Sequence, residues 1–159
     1  MSLLAFFEWC EQSGIGVAIR DSVWLFPVIE AFHLVGLGVA GGAVLLVDLR
    51  LLGVGLGRQS VAELSEDAEP WLLGALAVQF ASGIPLFLSE AIKCYYSFAF
   101  WVKMTSLVLV ILFTFTVRRR VTRMDLASTR PLLGRFTGLI SLGLWSGVGW
   151  GGRWIGFSS

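Results

Sequence analysis

Four long apolar runs, each closed off by charge, constrain this chain more than any other feature. They extend from about Val23 to Val47, Pro70 to Leu88, Phe98 to Val117 and Arg135 to Phe157. At 1.5 Å per residue such runs reach about 28 to 37 Å, matching a hydrocarbon core of about 30 Å. A water-soluble core of 159 residues could not hide a chain that is 56% hydrophobic with a mean hydropathy of +0.79. The expected solvent is a bilayer. The predicted fold is therefore all-α: an integral membrane four-helix bundle forming a single domain over residues 1–159.

The remaining segments differ in kind. Residues 3–19 mix Leu3, Leu4, Phe6, Phe7, Ile15 and Val17 with Glu8, Glu11 and Gln12. That pattern predicts an amphipathic helix lying in the interface rather than a fifth span. The opening "MSLLAFFEWCEQSG" has no basic region and carries an early acid, which argues against a cleaved signal peptide. In the polar connector "RQSVAELSEDAE", from Arg58 to Glu69, Ser60 and Glu63 have capping-box spacing, and Pro70 suits the start of the second span. A net charge of +1, with cations at segment ends rather than in a patch, gives no reason to expect nucleic acid.

Loop cations set the expected orientation. Eight (Arg50, Arg58, Arg118, Arg119, Arg120, Arg123, Arg130 and Arg135) fall on one side, against four (Arg20, Lys93, Lys103 and Arg153) on the other. The positive-inside rule then predicts a bacterial inner-membrane protein with both termini in the periplasm. Trp9, Trp24, Tyr95, Tyr96, Trp101, Trp150 and Trp154 would anchor the outer interface. Cys10 and Cys94 fall on that oxidising side, where a bridge between them competes with two independent thiols.

Polar residues inside the spans are the functional candidates. Glu30 and His33, the only histidine, lie three positions apart on the first span and share a face. Gln79, Ser82 and Glu90 form a stripe on the second span, near a bend expected at Pro85. Lys103, Ser106 and Thr114 share a face of the third, and Ser146 and Arg153 one of the fourth. All four stripes are expected to turn inward and meet in the outer half, with Glu30–Lys103 and Glu90–Arg153 as ion pairs. Asp48 and Arg50 end the first run, where charge returns to water; lipid phosphate or the acidic connector would receive Arg50.

In "GLWSGVGWGG" the glycines 143, 147 and 151 recur every four positions, a ridge that admits another backbone or a flat ligand. Gly38 and Gly42 mark a second small-residue face for a neighbouring helix or protomer. A haem b would take neutral His33 as an axial ligand and place its propionates against Lys103 and Arg153. One histidine makes one axial bond, so Met104, a five-coordinate iron or an imidazole shared across a dimer completes that reading. A quinone or proton site would use Glu30 and His33 as a titratable pair, with Gln79 beside them. A packing subunit would use the same stripes as glue. No G-x-S-x-G or G-x-x-x-x-G-K is present, and one Glu-x-x-His pair does not make a di-iron site.

The segments "DSVWLFPVIEAFHLVG", "LLVDLRLLG", "PWLLG", "AFWVKM" and "GRWIGF" sample nearly the whole chain. Through them it resembles an uncharacterised family of small four-span bacterial membrane proteins of Acidobacteria type. More distantly, "FHLVGLGVAGG" is similar to helices of copper-resistance D and cytochrome b561-type bundles. That resemblance implies a haem-bearing membrane redox fold, though partner histidines on other helices are lacking here. Together these readings predict a small inner-membrane subunit associated with electron transfer, either homo-oligomeric or part of a larger complex. The alternative is a packing or assembly subunit with no cofactor of its own.

Overall fold

The computed structural model describes residues 2–54 and 59–155. Arg58 of the connector and the expected end of the last run at Phe157 lie outside the described residues. Among the described residues the regular structure is helical throughout, with no strand.

The N-terminal segment forms two helices, α1 (Leu3–Glu11) and α2 (Gly14–Asp21), rather than one over residues 3–19. The break comes at Ser13, whose Oγ accepts from the Gly16 N–H and so begins a new helix. The long α3 (Leu25–Leu52) stops at Gly53, which adopts a left-handed φ of 81° that a side chain would disfavour.

After it, α4 (Val61–Ser89) starts well before the expected Pro70. Ser60 Oγ accepts from the Glu63 N–H while the Glu63 carboxylate accepts from the Ser60 N–H, a complete capping box. Pro70 and Pro85 consequently lie inside α4. The first-turn proline is Pro131 instead, which opens α9 (Pro131–Ile155). Between them lie the short α5 (Ala91–Tyr96) and a rod made of α6 (Phe98–Phe113), a π-helical segment (Thr114–Arg118) and α7 (Arg119–Arg123). The turn α8 (Leu126–Thr129) leads into α9.

Three helices are long and apolar enough to cross a membrane: Leu25–Leu52, Val61–Ser89 and Phe98–Arg123. The 25-residue α9 is long enough, but its glycines, serines and two arginines thin its hydropathy. It packs on α6 and α3 all the same.

In this arrangement α3 is central, with α4 on one side and α9 on the other, and α9 also covers α6. The third rod reaches α4 chiefly through α7. The midsection core sets Ala40, Ala43 and Val44 against Leu72, Ala75 and Leu76. Toward the arginine-rich end, Val47 and Leu51 meet Val61, Leu64 and Val121.

At the opposite end α1 and α2 fold over α4 and α5. Phe7 and Cys10 pack with Ala91 and Cys94, and a Cβ on Gly16 would stand 2.5 Å from the Leu88 carbonyl oxygen. The N-terminal helices therefore form a lid on the other helices instead of lying apart from them. Large apolar side chains such as Phe32, Val35, Leu45, Ile84, Leu109 and Leu139 face outward along the long helices, a surface consistent with a membrane protein.

Candidate functional site

The structure contains two polar layers, one near each end of the long helices. In the layer nearer the N-terminal lid, His33 is half-buried on α3, with Nδ1 2.9 Å from Ser82 Oγ on α4. Ser82 donates its single proton to the Val78 carbonyl, 2.6 Å away. The hydroxyl must therefore accept from the imidazole, so the neutral ring carries its proton on Nδ1 and keeps the Nε2 lone pair free. Gly83 makes room for the ring; a Cβ there would lie 3.2 Å from Cε1. Gln79 Nε2 donates to the His33 carbonyl at 2.6 Å, a second bond from α4 to α3.

The third and fourth helices complete this layer. Lys103 is half-buried, and its charge acts on the imidazole. Its stem crosses α9 where Gly151 has no side chain; a Cβ there would meet Lys103 Cβ and the Ala99 carbonyl oxygen at 2.9 Å each. At Gly147 a Cβ would stand 2.7 Å from Ser106 Oγ. Two members of the glycine ridge thus admit α6, while Gly143 faces open space.

Other expected members of the site lie elsewhere. Glu30 is exposed, and among the described residues no ion pair joins it to Lys103. The buried face of α3 runs through Gly36, Ala40, Val44, Val47 and Leu51, and Glu30 falls beyond its edge near the helix start. Glu90 pairs with Lys93 at 3.7 Å, its neighbour one turn along, in place of the expected Arg153. Arg153, Met104 and Ser146 are also exposed. Met104, which follows Lys103 by about 100° around the helix, points away from the interior that Lys103 enters. Cys10 and Cys94 share one buried cluster as free thiols rather than as a bridge. Burial, reinforced by the nearby Glu90 carboxylate, pushes the Cys94 thiol up to about 11.

The second layer overturns the expectation that Asp48 returns to water. Asp48 is 0% exposed and Arg118 only 5%. Arg118 Nε donates to Asp48 Oδ1 at 2.9 Å, and its Nη2 reaches the Val44 carbonyl at 3.5 Å. The π-helical turn ends at Arg118 and delivers it against α3; such turns recur at functional sites. Ser141 of α9, also fully buried, lies beside the carboxylate.

Nearer the surface, Glu69 accepts from Arg119 at 2.9 Å and from Arg123 at 3.2 Å. Ser65 donates to Thr122, and Thr122 to the Arg119 carbonyl, at 3.2 Å each. Arg50 donates to the Gln59 carbonyl at 2.9 Å, so the connector itself receives it. Asp48 carried a readable signal: it lies four residues beyond Val44 and eight beyond Ala40, on the stripe that faces the core.

Among the described residues no three His, Cys, Asp or Glu side chains converge as a metal site. What the first layer offers is one oriented imidazole with an unprotonated Nε2 and a cation nearby. The second offers a paired and desolvated acid. No curated protein and no solved structure matches the chain. A model of a family of unknown function, DUF6644, matches residues 6–158, and the chain belongs to that family.

Proposed function

We propose that the protein is a small subunit of electron-transfer machinery in the bacterial inner membrane, in which His33 offers Nε2 to a haem b or a quinol. The proposed bundle has four spans, with α9 as the fourth and both termini in the periplasm; the eight-to-four division of loop cations supports that orientation. The observation that carries the functional reading is the fixed tautomer. A histidine that binds iron or accepts a quinol proton through Nε2 is typically held by a hydrogen bond donated from its other nitrogen. Ser82, itself committed to Val78, is placed to receive that bond.

The residues present fit a haem in part. His33 would hold the iron, which supplies one-electron chemistry when bound, and Lys103 would meet a propionate. With Met104 exposed, His33 would hold the iron as this chain's one ligand, either alone or with an imidazole shared across a dimer.

One observation favours the alternative, a packing or assembly subunit. Ser82, by accepting from His33, and Gln79, by donating to the His33 carbonyl, each join α4 to α3.

Absorption spectra of the detergent-purified protein, before and after dithionite, separate these readings. A haem band present in the wild type and lost in His33→Ala supports haem. If the wild type is colourless, photolabelling by an azido-quinone that depends on His33 supports a quinol site. A colourless protein without such labelling overturns the redox reading and leaves the packing subunit.

A further inference from the structure

Around the Asp48–Arg118 pair, buried polar atoms have been left without protein partners. They are Thr114 Oγ1, Arg119 Nε and Trp145 Nε1. Native interiors seldom leave such groups unbonded. Thr114 and Arg119 also line a cavity of about 30 Å³, together with Ser65, Glu69, Arg118 and Phe115. It occupies the gap where α4 and the third rod stay apart.

Size and chemistry identify the occupant. One water needs about 10 to 15 Å³ of such volume and two to four polar partners. The cavity has room for about two by that measure and is too small for an organic ligand. Its walls carry both kinds of partner: Arg119 Nε–H donates, the Glu69 carboxylate accepts, and the Thr114 hydroxyl does either.

We propose that this cavity is a hydration site, an inlet that brings water from the arginine-rich surface to the buried Thr114 hydroxyl and Arg119 Nε beside the Asp48–Arg118 pair. Val110 of α6, about one turn from Thr114 toward the His33 layer, is 0% exposed. On the third rod Val110, and on α3 and α4 the midsection core with Ala40, Ala75 and Leu76, separate the wet end from the His33 layer.

Radiolytic hydroxyl-radical footprinting of the full chain in nanodiscs tests the inlet, because bound water generates radicals beside the side chains it touches. Phe115 and Leu72, which line the cavity, should be modified several-fold faster than Phe87 and Phe100 of the lid-end cluster. Thr114→Val preserves the side-chain shape and removes the hydroxyl, and should bring Phe115 close to the rate of Phe87. Equal rates at Phe115 and Phe87 in the wild type overturn the proposal, as does a folded Thr114→Val variant with undiminished Phe115 modification. Should that variant fail to fold, the comparison within the wild type decides alone.

Discussion

Taking Asp48 and Arg118 out of water costs several kcal/mol per ion, which their mutual attraction and hydrogen bond return only while both are present. Removing one partner strands the other charge. Asp48→Ala is therefore expected to destabilise the protein by about 3 to 5 kcal/mol, whereas the Asp48→Leu/Arg118→Leu double variant should lie close to the wild type. Denaturant unfolding in detergent measures the cycle, and a double variant as unstable as the single one would refute a desolvated pair. At this scale the sequence was readable where several residues agreed in depth. His33, Gln79 and Ser82 do come together across two helices. Glu30 was misread because sharing a face with His33 does not guarantee burial on a helix whose first turns are thinly covered. Asp48 was misread because Arg50 drew it toward the surface, although periodicity placed it on the core stripe.

Elements were legible in kind more than in extent. Three of the four expected spans correspond to helices long and apolar enough to cross a membrane, but α4 begins at its capping box and runs through Pro70, because capping and packing outweigh one missing hydrogen bond. The π-helical turn has no comparable signature, since it depends on tertiary contact around Arg118. The glycine ridge was read correctly as a close-approach surface, and the structure assigns α6 as what approaches. Gly151→Leu should push α6 from α9 and destabilise by about 1 to 3 kcal/mol. Gly143→Leu, facing open space, should change stability by less than about 0.5 kcal/mol. Thermal melts of the two variants in the same detergent check the contrast, and equal losses would contradict the assigned interface.

For the whole molecule, the order α4, α3, α9, α6 was not written in the polar stripes, which say which face turns inward but not which neighbour meets it. The lid was equally hidden, because an amphipathic segment reads alike whether its apolar side meets lipid or protein. The lid makes a pH prediction through Cys94. Its thiol pKa is raised from 9.0 to about 11, so between those values the unfolded chain releases a proton that the folded one keeps. Unfolding is then favoured as pH rises, and about 3 kcal/mol of stability at most should be lost across that window. In a Cys10→Ser background, alkylation of Cys94 should stay slow at pH 8 and accelerate toward pH 11. Fast labelling at pH 8 would mean that the lid does not cover it.

The hydrogen bond from the Ile92 N–H to the Glu11 carboxylate, 2.6 Å long, spans 81 positions. The ribosome releases the acid early and the amide that receives it much later. During that interval the cluster partners of Phe7 and Cys10 do not yet exist, and two helices long and apolar enough to cross a membrane are made before they do. The segment born first thus waits through the synthesis of α3 and α4 before it can dock, and any factor that attends this chain during synthesis has a long opportunity there.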